Sequence, residues 1–154
     1  MPKDTFRIRP VDRADLGEVI DIDAEATGLR KVDYWYELFA RYGGARGRQQ
    51  RFFLVAEQGP RIVGFIIGEV RDWEFGSPPC GWVFGISVRR QDRQSGVASR
   101  MLDAICEDFR RAGVDKVRTL LARDDHLVMS FFRSQAMMAA PFIALERDLL
   151  DRTP

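Results

Sequence analysis

At 154 residues, with 45% apolar and 31% charged side chains, the chain has the composition of one folded domain and not of a disordered tail. A net charge of +1 leaves no excess positive charge for nucleic acid, and no apolar run approaches the ~18 residues that span a bilayer. Two cysteines, Cys80 and Cys106, and the charged start Met1-Pro2-Lys3-Asp4 suggest neither a disulfide framework nor a secretory leader, so the expectation is a single cytoplasmic domain over residues 1–154.

Thr5 to Arg9 alternates polar and apolar side chains and stops at Pro10, which predicts a half-buried first strand. Asp12 is placed to cap a helix, with Asp15 three residues on as the acid of a capping box. That helix carries Leu16, Val19 and Ile20 on one stripe and runs to about Glu25, with Gly28 beyond its end. Asp21, Asp23 and Glu25 spread around the cylinder; with no His or Cys beside them, they read as a solvated face and not as a metal site. A second helix is expected over Asp33–Arg41, and its aromatics Tyr34, Trp35 and Tyr36 read as core before ligand wall. Residues 43–50, rich in glycine and arginine, read as a loop.

Phe52–Ala56 and Ile62–Val70, joined by Gln58-Gly59-Pro60-Arg61, predict an antiparallel hairpin. Gly64 and Gly68 in the return strand predict a close backbone approach or a bulge. Trp73 to Pro79 is turn chemistry. The apolar run Trp82–Val88 then reads as a central strand, which passes through an arginine-rich loop into a long helix. From Ser95 to Ala112 that helix keeps Val97, Met101, Leu102, Ile105 and Phe109 on one face, and Gly113 sits where a left-handed cap belongs. Lys116–Ala122 predicts a parallel strand, His126–Ser134 a short helix capped by Asp124 or Asp125, and Phe142–Arg147 a closing strand.

A helix start presents unpartnered N–H groups and the positive end of the dipole, and small residues there let phosphates approach the main chain. Strand, Arg93-Gln94-Ser95-Gly96-Val97-Ala98 and helix therefore make a pyrophosphate cradle. The spacing Arg93-x-x-Gly96-x-Ala98 resembles the acyl-CoA loop of the GCN5-related N-acetyltransferase (GNAT) superfamily. The element order from Phe6 to Gly113 resembles that of the family, as does Val63-Gly64-Phe65 in its third strand. The resemblance implies an α/β fold with a central mixed, twisted sheet of about six to seven strands flanked by about four helices. It further implies acetyl-CoA as cosubstrate, no metal, and direct transfer of the acetyl group to a primary amine on a peptide, protein or small molecule.

Carried over by position, the main chain from Arg93 to Ala98 would bind the pyrophosphate, with Ser99 near by, and Ile86 and Val88 would hold the pantetheine arm by strand-like hydrogen bonds. An N–H within Ile86-Ser87-Val88 would polarise the thioester carbonyl. Gly85 marks the place for a bulge that splays this strand from its neighbour. In the family the second helix and its loop often line the acceptor site, which makes Trp35 a candidate for substrate binding, and Trp73, in the turn after the third strand, is a second candidate placed to hang over a site. A homodimer is common in the family.

The chain departs from the family at its end. The tyrosine that in many members protonates the leaving thiolate is replaced by Phe132, and the glutamate base of the ribosomal-protein alanine acetyltransferases aligns with Leu120. Glu69 and Glu74 lie on or after the third strand, the side from which several members draw a base, although each also reads as a surface carboxylate. His126 reads as a cap or surface residue and Cys80 as an inert buried thiol. With no acid or base evident, the alternative to an enzyme is a catalytically weak acyl-CoA sensor or interaction domain.

Overall fold

Pro10 lacks a ladder donor and fixes its own φ, so the first strand ends there, and β1 spans Arg7–Pro10 in the computed structural model. The structure describes residues 5–43 and 50–150; the charged start and most of the expected glycine- and arginine-rich loop (44–49) lie outside them. The chain forms two units, Met1–Leu120 and Leu121–Pro154.

In the first unit Asp12 opens a short 3-10 turn with the expected capping box: its carboxylate accepts from Arg13 N–H at 2.8 Å, and Asp15 Oδ2 accepts from Asp12 N–H at 2.7 Å. The turn runs into α1 (Leu16–Thr27), whose Gly28 cap donates to Ala24 O at 2.8 Å. Arg9 grips Asp15 through two parallel bonds of 2.7 and 2.9 Å and also holds Glu57. Burial pushes the Asp15 carboxyl up, but the hydrogen bonds from Arg9 and from the Asp12 N–H outweigh it and hold the group below its usual 3.8.

A depressed folded-state value stabilises the fold above the unfolded value, and that contribution is lost as pH falls through the folded one. Asp15→Asn is therefore expected to cost about 2 kcal/mol at neutral pH, the scale of a charge-assisted hydrogen bond. The variant also flattens the acid limb of stability below the ordinary value of 3.8. Urea unfolding at stepped pH reads both effects; an acid limb as steep as that of the parent would remove Asp15 from the account.

The helix α2 (Val32–Tyr42) leads to the hairpin β2 (Arg51–Gln58) and β3 (Arg61–Arg71), then to β4 (Cys80–Val88), α3 (Val97–Arg111) and β5 (Val117–Thr119). The sheet order is β1-β2-β3-β4-β5, antiparallel except for the β4–β5 pair, which is parallel as the crossover through α3 requires. Alternate residues of the hairpin serve two cores. Phe53, Val55, Phe65 and Ile67 meet Leu16, Val19, Trp35 and Leu38 of α1 and α2 on one face. On the other face Met101, Ile105 and Phe109 of α3 reach the backbone at Gly64 and Gly68. Each such side chain, fully buried, contributes roughly 1.5–3 kcal/mol.

The second unit contains α4 (His126–Ser134), with Asp125 as cap accepting from Val128 N–H at 3.2 Å and an edge-to-face pair between Phe131 and Phe132. Two expectations are corrected. The sheet has five strands among the described residues, with β5 only three residues long, and Phe142–Arg147 is irregular chain. A short apolar run makes a strand only where a neighbouring edge accepts its hydrogen bonds, and no strand pairs there among the described residues.

Candidate active site

The strand β4 is paired on both sides at only three of its nine residues. It follows β3 from Arg71↔Cys80 to Gly64↔Val88, whereas β5 reaches it only at Gly81, Trp82 and Val83. The β3–β4 register slips between Ile67↔Gly85 and Gly68↔Val83, so Phe84 is the extra residue of a bulge beside Gly85. A bulge bends its strand and raises the twist, which here coincides with the end of pairing to β5. Beyond it, Arg89 N–H donates to Val63 O on β3 at 2.8 Å. Main-chain groups alternate along a strand, so those of Ser87 also face β3, while those of Ile86 and Val88 point to the open edge. Arg93 Nε occupies one of them, Val88 O, at 3.3 Å.

The chain leaves this edge through a 3-10 turn at Arg90–Asp92 and enters α3 through two left-handed residues, Gln94 (φ 66°) and Gly96 (φ 86°). Gly96 caps α3 without a side chain, and no atom lies within 4 Å of where its Cβ would stand. The N–H groups of Val97 and Ala98 have no acceptor within the helix, and the dipole adds positive potential. Ala98 and Ser99 stand on that first turn.

The loop is anchored from below. Arg89 donates to Ile62 O at 2.8 Å and to Glu18 Oε2 at 3.2 Å, and Arg90 N–H donates to Glu25 Oε1 at 2.5 Å. Ser95 Oγ donates to Asp92 O. Ile86, Ser87 and Val88 thus run through the Arg90–Asp92 turn into the Arg93–Ser99 segment, and Arg93 Nε reaches back to Val88 O.

On the α1–α2 side of the same strand lies a cavity of about 200 Å³ whose floor is Gly85, Ile86 and Ser87. Its walls include Tyr34, Trp35, Phe65 and Phe84, and its polar groups include Asp23 and Lys31. Here the solvated-face expectation fails for Asp23, which is 7% exposed. Its Oδ2 accepts from Trp35 Nε1 at 3.0 Å and lies 3.2 Å from Lys31 Nζ. The signal was in the helical spacing: Asp23 continues the stripe of Leu16, Val19 and Ile20, a place for a buried side chain. Asp21 is exposed and pairs with exposed Arg30.

Trp35 is both core and wall. It is buried against Phe53 and Phe65 with ring centroids 5.9 and 4.9 Å away, yet it borders the cavity. Trp73 is 65% exposed in a left-handed turn and does not border the cavity. Neither Glu69 nor Glu74 borders it. Glu69 accepts from Tyr42 Oη at 2.7 Å and from Arg71 Nε at 3.3 Å, and the exposed Glu74 lies 3.8 Å from Arg71. Tyr42 in turn packs edge-on against Phe84, the bulge residue, at 5.4 Å. Burial first, then the Glu69 carboxylate, pushes its hydroxyl up to about 12, so it keeps its proton throughout the neutral range.

Of the remaining groups, Cys80 is buried and Cys106 has its thiol pushed up by burial, so neither is an activated nucleophile. Among the described residues no group of three or more His, Cys, Asp or Glu could hold a metal ion, and no helix is long and apolar enough to cross a membrane.

Comparison with known proteins gives the following. The acetyltransferase (GNAT) family model matches residues 16–136. No curated protein sequence matches the chain. Among solved structures, the aminoglycoside N-acetyltransferase AAC(6')-Iy in complex with CoA superposes with a TM-score of 0.82 at 16% identity, covering 97% of this chain and 99% of that one. The aminoglycoside 6'-N-acetyltransferase AAC(6')-Ih from Acinetobacter baumannii gives 0.79 at 13% identity, with 96% and 100% covered. A transcriptional regulator from Bacillus halodurans C-125 gives 0.77 at 16% identity, with 94% and 100% covered. At such identities the likeness is one of fold.

Proposed function

Because the chain belongs to the acetyltransferase (GNAT) family, and so is an N-acyltransferase that uses acetyl-CoA as cosubstrate, we propose that it acetylates a small-molecule primary amine by direct transfer at Gly85–Ser87 of β4. The observation that carries this reading is that one three-residue segment borders two sites. It adjoins the open edge and helix start on one side and floors the cavity on the other.

In this reading the pyrophosphate sits on the main chain of Arg93–Ala98 and the start of α3. The pantetheine arm adds to β4 as a short strand through the outward groups of Ile86 and Val88, in the place that β5 leaves unfilled. The amine enters from the cavity. Its nitrogen attacks the thioester carbonyl, a C–N bond forms, and the oxyanion is held by a β4 N–H. The C–S bond then breaks, the amine gives up one proton, and the CoA thiolate takes one up.

Fixed N–H donors commonly contribute a few kcal/mol, and alignment of two bound reactants can supply more. Phe132 has no proton to give, so reprotonation of the thiolate falls to solvent. A lysine-like amine costs about 4–5 kcal/mol to deprotonate at neutral pH and an α-amine about 1, which favours acceptors of lower pKa. The aminoglycoside acceptors named for two of the structural neighbours support a small-molecule amine. The family match runs across both units of the chain, which supports one acetyltransferase domain over residues 1–154.

The test is calorimetric titration with acetyl-CoA, followed by release of free CoA thiol across a panel of primary amines. Binding in the micromolar range with amine-dependent thiol release is expected. Absence of binding, or binding with no turnover on any amine, would overturn the reading.

A further inference from the structure

We propose that the cavity selects an acceptor carrying a single primary ammonium on a compact aromatic body, with Asp23 as the carboxylate that receives it and Lys31 as an internal occupant that the acceptor displaces. The proposal rests on the reading that the amine reaches the thioester through this cavity, and adds which amine and which residues choose it.

Three observations carry it. First, Asp23 is a nearly buried carboxylate bordering a cavity, and both of its close partners, Trp35 Nε1 and Lys31 Nζ, sit on Oδ2. A carboxylate has about four acceptor positions, so capacity remains for a further donor. Second, the chain already places a primary ammonium there. Lys31 Nζ lies 3.2 Å from Asp23 Oδ2 and 5.2 Å from the centre of the Tyr34 ring, so this wall accepts an ammonium by an ion pair and a cation–π contact together. The Lys31 side chain is 38% exposed and tethered only by its flexible stem, so it can swing to water when another ammonium arrives. Third, most of the rest of the lining is aromatic or aliphatic, with Tyr34, Trp35, Phe65 and Phe84 as its rings, and Thr27 and Ser87 are its polar exceptions.

The balance of charge sets the class. An ammonium taken out of water needs a partner, and among the described residues this cavity has Asp23 as its one carboxylate, set against Lys31 as its one cation. A polycation would leave its further ammonium groups unpaired against aromatic walls. A monoamine with a ring or short apolar body meets one carboxylate, which takes one proton from the ammonium so that the free amine can attack, and fills the remainder. A volume of about 200 Å³ suits a single ring and a short linker.

Phenethylamine is the probe, spermidine the polycation control and 2-phenylethanol the uncharged one. KM and kcat are measured by thiol release at saturating acetyl-CoA for the parent, Asp23→Asn and Lys31→Met. Calorimetric binding of acetyl-CoA to all three proteins is the control on the donor site. Asparagine keeps an oxygen for Trp35 Nε1, and methionine keeps most of the lysine stem, so both variants retain the packing.

The expected result has several parts. Phenethylamine is turned over and spermidine is not. Asp23→Asn raises the KM for phenethylamine about tenfold or more, whereas Lys31→Met lowers it several-fold. The neutral alcohol does not compete at matching concentrations, and acetyl-CoA binds all three proteins equally. Intact acetyl-CoA binding with a preference for spermidine, with no turnover of phenethylamine, or with a KM indifferent to either substitution, overturns this proposal alone. Failure of the parent to bind acetyl-CoA overturns the donor site and this proposal with it.

Discussion

Gly96→Val is expected to weaken acetyl-CoA binding by a factor of at least about one hundred, roughly 2.7 kcal/mol, while leaving the protein folded. The two effects separate because of what surrounds the residue. Gly96 has φ 86°, a conformation that costs an L-residue roughly 1–2 kcal/mol, so some stability is lost whatever replaces it. Apart from its two chain neighbours, no protein atom lies within 4 Å of where its Cβ would stand, so no clash adds to that strain. That open space adjoins the uncapped start of α3, where a phosphate would approach the main chain.

Gly113 gives the matched control. It has φ 89°, likewise has no atom within 4 Å of a Cβ, and lies just beyond the opposite end of α3. Gly113→Val should lose similar stability and keep acetyl-CoA affinity. Thermal unfolding and calorimetric titration of the pair give both numbers. Equal affinity in the two variants would mean that the pyrophosphate does not sit at the α3 start.

The parts of this site that could be read in the sequence are those set by local spacing. Arg93-x-x-Gly96-x-Ala98 between an apolar run and a helical stripe marks the turn into α3, since a left-handed residue and a helix start are short-range requirements. The capping box of Asp12 and Asp15 is legible for the same reason. What was misread depends on a partner far along the chain. The bulge expected at Gly85 is there, but which residue is extra, Phe84, is decided by the register with Ile67 and Gly68 on another strand.

Asp23 looked solvated beside Asp21 and Glu25; its burial depends on Trp35, a residue twelve positions on whose indole N–H meets it only after α2 packs on the sheet. Phe142–Arg147 has strand-like side chains and no paired edge among the described residues, and an apolar run alone cannot supply one. The sequence therefore displayed the loop and the helix start, built by neighbours in the chain, better than the cavity, built by neighbours in space.

Gly68→Ala is expected to destabilise the fold by about 3 kcal/mol, at the upper end for overpacking, although it adds a single methyl group. A Cβ on Gly68 would stand 2.6 Å from Trp82 O, 2.9 Å from Phe109 Cζ and 3.0 Å from Ile105 Cδ1. The two side chains could give way, but the Trp82 carbonyl is backbone of β4 two residues before the bulge. Relief must come from moving that strand, so the surviving folded protein should also bind acetyl-CoA more weakly.

Gly85→Ala provides the contrast on the other side of the bulge. Its nearest neighbour would be Ile67 Cδ1 at 3.6 Å, ordinary contact distance, and the stability change should stay within about 1 kcal/mol. Urea unfolding ranks the two substitutions, and acetyl-CoA titration of folded Gly68→Ala shows whether the strand has moved. A Gly68→Ala protein as stable as the parent would mean that α3 does not press on the β3–β4 backbone as closely as these distances require. The bulge would then owe its position to β3 alone. If stability falls and affinity falls with it, the same close approach that seats α3 on the sheet also sets where β4 parts from β5 and opens the edge for the cosubstrate.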